Sequence, residues 1–72
     1  MYIARINSSD RYKVDVYDAI SGAYVCFFYA NVHHGYITNV QVQGDYVSLV
    51  HSDGRVDVYN AKTISYVRSF IN

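Results

Sequence analysis

Val14-Asp15-Val16-Tyr17-Asp18-Ala19 returns as Val56-Asp57-Val58-Tyr59-Asn60-Ala61, an offset of 42 residues (56 minus 14). Five of the six positions are identical, and the sixth is an Asp/Asn exchange. Within each copy the valines alternate with polar or amphipathic side chains. Val14 and Val16 point one way, while Lys13, Asp15 and Tyr17 point the other, as in a half-buried strand. The offset continues downstream: Tyr24-Val25 recurs as Tyr66-Val67, and Phe28 as Phe70. Repetition at a spacing near 40, in units made of short strands, means that one supersecondary unit has been used twice.

Working outward, residues 2–7 read as a strand, followed by the turn chemistry of Ser8-Ser9-Asp10-Arg11. Residues 12–18 carry the repeated strand, and Ala19-Ile20-Ser21-Gly22 turns the chain. Residues 23–30 are apolar on both faces, whereas their counterpart 65–70 has Arg68 for Cys26 and Ser69 for Phe27. The first copy of this strand is therefore expected to be covered on two sides, either in the core or at a subunit contact, and the second on one. Asn31-Val32-His33-His34-Gly35 reads as a loop, and residues 36–43 and 46–51 as strands joined at Gly44-Asp45. Ser52-Asp53-Gly54 is a hairpin signal, with Asp-Gly favouring a turn whose central residues have positive φ. Residues 55–60 and 65–70 complete seven antiparallel strands without a helix. The fold class is all-β.

Composition agrees. Nine Tyr and three Phe favour strands, and Glu and Pro are absent. With 72 residues the chain forms at most one small domain, and such domains usually need a disulfide, a metal or oligomerisation to be stable. Cys26 is the sole cysteine, so no internal disulfide exists; a lone thiol in an apolar run reads as a small buried hydrophobe in a reducing, cytoplasmic compartment. The opening residues have no basic n-region and no long apolar core, so no secretory leader is expected. The apolar run from Ala23 to Ala30 is too short to span a bilayer. Six basic and six acidic side chains are scattered and balance each other, which gives no basic footprint for nucleic acid.

The repeat resembles the WD40-like β-propeller repeat over nearly the whole chain. Ser52-Asp53-Gly54-Arg55-Val56-Asp57-Val58-Tyr59-Asn60 matches that family's third blade strand, with Tyr17 and Tyr59 at the usual Trp position and Asp18 and Asn60 at the usual Asp. Ser21-Gly22 matches the following family turn, whereas the second copy has Thr63-Ile64; the family's Gly-His pair is reversed here as His34-Gly35. The resemblance implies a single all-β domain, 1–72, made of a partial three-strand blade (1–31) and a full four-strand blade (35–71). Four to eight blades close a propeller, so the expectation is completion by assembly into a homo-oligomer, with the same pair of patches at every contact.

No catalytic constellation is present. There is no informative Ser/His/Asp ordering and no Gly-rich phosphate loop, so the chain is read as a non-enzyme without cofactor. His33, His34 and His51 are the metal suspects; without His-x-His spacing or paired Glu, they read as a polar surface loop. Asp15 and Asp57, each two residues after Lys13 or Arg55 on the same face, read as surface ion pairs. The candidate interface is Val25, Phe27 and Tyr29 on one face of the two-sided strand, with Tyr12 and Tyr36, which the repeat leaves unpaired. The expected function is a self-associating module mediating protein–protein interaction. The alternatives are a carbohydrate-binding propeller, in which tyrosine faces stack on sugar rings, a small barrel stacking single-stranded nucleic acid, and an accessory or structural protein of a virus or phage. The expected partners are thus another copy and a second protein, with nucleic acid and membrane not expected.

Overall fold

The computed structural model describes residues 1–71. Seven antiparallel strands form two sheets. The first sheet holds β1 (Tyr2–Ile6), β2 (Lys13–Asp18) and β3 (Tyr24–Tyr29) in that order. The second holds β4 (Ile37–Gln43), β5 (Tyr46–His51), β6 (Arg55–Asn60) and β7 (Ser65–Ile71), also in that order. The all-β class and the seven strands thus stand as read. A 3-10 turn, Val32–His34, lies between the sheets; the Asn31 side chain accepts the His33 N–H at its start.

The sheets pack through one face each. Val14 and Val16 on β2 pair with Phe28 and Cys26 on β3, and these four side chains are buried. Facing them in the same core cluster are Ile37, Val47 and Leu49 of the second sheet, with Ala61 in the turn just after β6. Val14, Val16, Val47 and Leu49 have no exposed surface, and burial of each stabilises the fold by about 1.5–3 kcal/mol. Phe28 stacks on Tyr59 across the contact, with ring centroids 4.5 Å apart.

The 42-residue repeat reappears in local geometry. Each sheet has a bulge at the same place: the pairing of Tyr17 with Tyr24 leaves Val25 unopposed, and that of Tyr59 with Tyr66 leaves Val67 unopposed. Asp18 Oδ1 accepts the N–H groups of Ile20 and Ser21, and Asn60 Oδ1 those of Lys62 and Thr63. The Asp/Asn exchange keeps this turn because both side chains offer the same acceptor oxygen. The two backbone bonds also hold the Asp18 carboxyl below its ordinary pKa.

In that same turn Gly22 has φ 76° and its counterpart Ile64 has φ 55°. A β-branched side chain in the left-handed region is strained. Ile64→Gly is therefore expected to stabilise the chain by about 1 kcal/mol, read as a higher urea midpoint; an unchanged midpoint would mean that the turn relaxes freely.

Three expectations are corrected. Asp53-Gly54 does not place both residues at positive φ: Gly54 alone of the two is there (φ 95°), closing a three-residue loop in which its N–H bonds to the His51 carbonyl. The chain's own core covers β3 on one side, not two, because the second sheet packs on the Cys26–Phe28 face while Phe27 is 45% and Tyr29 54% exposed, so of the two expected forms of cover only a subunit contact is left for that face. Within the chain β7 is covered on neither, since the two sheets approach most closely along β1 and β4, at the edge of the second sheet farthest from β7; Phe70 is 50% exposed.

Candidate interaction surface

The two sheets leave two broad faces open. On the first sheet, Asp15 and Tyr17 lie on the side of β2 opposite the buried valines, and their cross-strand partners on β3 are Phe27 and Tyr24. Phe27 and Tyr29 meet edge to face at 5.3 Å, and the Lys13 Nζ sits 4.6 Å from the Phe27 ring centre. Tyr17 and Tyr24 form a second T-shaped pair at 5.4 Å. The Tyr24 hydroxyl donates to Asp15 Oδ1 at 3.2 Å; partial burial, followed by this bond, raises the Tyr24 pKa. On the second sheet the open face carries Val58, Val67, Arg68 and Phe70, which line a shallow groove with Gln43, Tyr46 and Ser48.

Of the residues singled out from sequence, Phe27 and Tyr29 are brought together on the open face of the first sheet. Val25 is not: the bulge takes it out of strict alternation, and it is half-buried against the core cluster. Tyr12 is likewise half-buried against the core. Tyr36 borders exposure at 36%, with the Arg11 guanidinium 4.0 Å above its ring. Sequence reasoning did not pick out Phe70, Val58 or Val67 as a second face. The signal for them was the repeat, which maps Phe28 onto Phe70 and Val16 onto Val58.

The histidines and aspartates need two further corrections. His51 is buried, 1% exposed, not part of a surface loop. Its Nδ1 lies 3.1 Å from the Arg55 carbonyl, and its Nε2 lacks a hydrogen-bond partner, with Asp57 Oδ2 at 3.4 Å. Asp15 and Asp57 are not surface ion pairs, because the strands on either side bury both carboxylates. The spacing itself holds: Arg55 Nε donates to Asp57 Oδ1 at 3.0 Å, and Lys13 Nζ is 3.9 Å from Asp15. The loop before β4 and the loop after β5 meet, with the His34 and His51 rings 5.9 Å apart and His34 Nδ1 2.9 Å from Asp53 Oδ2. The Arg55 N–H, then the His34 contact, hold the Asp53 carboxyl below its ordinary pKa. Among the described residues, no group of three or more His, Cys, Asp or Glu side chains is placed to hold a metal ion.

This cluster anchors the connection between the sheets. Gly35 follows His34 with φ 86° and ψ −178°, a conformation reserved for glycine. A Cβ there would also collide with the Ser52 side chain. Gly35→Ala is expected to lower stability by about 1–3 kcal/mol from the backbone term alone, measured by urea unfolding; a loss below half a kcal/mol, on the order of ordinary surface substitutions, would mean that the connection is free to move.

Comparison of the chain with family models, with curated proteins and with solved structures finds no match in any of the three. No helix among the described residues is long and apolar enough to cross a membrane.

Proposed function

We propose that this chain is a non-catalytic, self-associating, propeller-like module whose role is protein–protein interaction. The observation that carries the reading is the pair of open aromatic faces on opposite sides of one small fold. Phe27, Tyr29 and Tyr24 are each about half exposed on one side, and Phe70 on the other. Soluble monomers rarely present contiguous apolar patches of this kind, and larger ones mark interaction surfaces. The residues involved, Tyr and Phe with Arg68 alongside, are those enriched at such surfaces. The blade-like layering of one sheet's inner face on the next sheet's outer face supports the propeller-like description. Light scattering after gel filtration tests the reading. A mass that is a whole multiple of 8.3 kDa is expected, and Phe27→Asp should reduce it. A chain of 8.3 kDa at every concentration refutes self-association.

A further inference from the structure

Building on self-association, which it presupposes, we propose that copies of this chain join head to tail, the open face of the second sheet docking on the open face of the first sheet of the next copy. The molecule already contains this contact once. Inside each chain the inner face of the first sheet, with Val14, Val16, Cys26 and Phe28, covers the Val47–Leu49–Tyr59 face of the second. Under the repeat, the covering face recurs in the second sheet as Val56, Val58, Arg68 and Phe70; Val56 is shielded by its own sheet (6% exposed), but among the described residues no second sheet lies over Val58, Arg68 and Phe70, which line the open groove. The covered face recurs in the first sheet around Tyr17, and it too is open. Each chain therefore ends in one half of the contact at one side and the complementary half at the other.

The aromatic geometry makes the match specific. In the second sheet Tyr59 and Tyr66 form a T-shaped pair, 5.6 Å and 72°, and Phe28 stacks on Tyr59. In the first sheet Tyr17 and Tyr24 form the same pair, 5.4 Å and 77°, and among the described residues no ring stacks on Tyr17. Phe28 is 6% exposed, while its counterpart Phe70 is 50% exposed. Phe70 of one copy is thus placed to stack on Tyr17 of the next, as Phe28 does on Tyr59. Two positions of the covering face turn polar, which suits a surface that meets water before assembly: Cys26 becomes Arg68, and Ala4 becomes Ser48 when β1 is aligned on β5 from Tyr2 over Tyr46, the first copy having two more residues in the hairpin that follows. The contact uses two different patches, so it is heterologous and propagates around a ring when the rotation closes. With two sheets per chain and four to eight blades to a propeller, closure takes about two to four copies.

Mixing of complementary variants tests this. Phe70→Asp disables one patch and Tyr17→Asp the other. Each alone is expected to weaken association about tenfold or more. Mixed in equal amounts they should form a 1:1 dimer, because one unaltered Phe70 face meets one unaltered Tyr17 face. Val67→Asp and Tyr24→Asp, both at exposed positions, form a second pair in case Tyr17→Asp does not fold; circular dichroism reports folding in each sample. A wild-type chain that is monomeric overturns self-association itself. An oligomeric wild type whose variants keep its mass, or whose folded variants fail to combine on mixing, leaves self-association standing and overturns the head-to-tail geometry.

Discussion

Phe28→Ala is expected to remove about 3–5 kcal/mol of folding stability. A 72-residue chain has roughly 4–11 kcal/mol in all, so the loss is between about a quarter and all of the stability, and a chain at the low end of that range would be largely unfolded at room temperature. Phe28 is 6% exposed and packs with Val14, its cross-strand partner, and with the Tyr59 ring at 4.5 Å. Truncation opens a cavity between the two sheets, and edge strands on either side cannot collapse to fill it without losing register. Urea unfolding followed by circular dichroism measures the loss, and it should be the same at every protein concentration that leaves the chain monomeric. Phe70→Ala is the matched control: the same residue type at the repeated position, half exposed in the chain by itself. Its effect on the monomer should stay within about 1 kcal/mol. Equal losses for the two variants would mean that the sheets are not joined through the Phe28 face.

Asp57→Ala is expected to cost about 1–3 kcal/mol, the range for leaving a buried polar group without its partner. Asp57 is 3% exposed, accepts a bond from Arg55 Nε at 3.0 Å, and places its Oδ2 3.4 Å from the buried His51 Nε2. Without the carboxylate, the imidazole loses the group it faces. Arg55 suffers less, because its side chain is 29% exposed and also bonds Ser69. Asp57→Asn, which keeps an acceptor oxygen, should recover part of the loss. Denaturant unfolding of both variants checks this, and a cost below about 1 kcal/mol for Asp57→Ala, as for an exposed pair, would show that water reaches the site.

Much of this fold was legible before any coordinates. The alternation of Val14 and Val16 with Lys13 and Asp15 has a period of two, which a strand alone among regular structures can satisfy. Gly22, Gly44 and Gly54 mark turns because they reach positive φ without strain. The interaction surface was less legible. A strand pattern shows that a face is apolar but not whether something lies over it, so β3 read as covered twice when the chain covers it once. Val25 left its expected face because a bulge, which depends on how β2 and β3 pair, shifts the alternation by one residue.

The sequence by itself determined the strands, their order in each half and the equivalence of the two halves, because these follow from local periodicity, turn chemistry and a direct repeat. The tertiary structure alone decided which copy of each repeated residue is buried. Phe28 and Phe70, or Tyr59 and Tyr17, are the same residue in the same local setting. They differ because each sheet has a neighbour on only one side, and burial depends on that neighbour, not on the residues beside them in the chain.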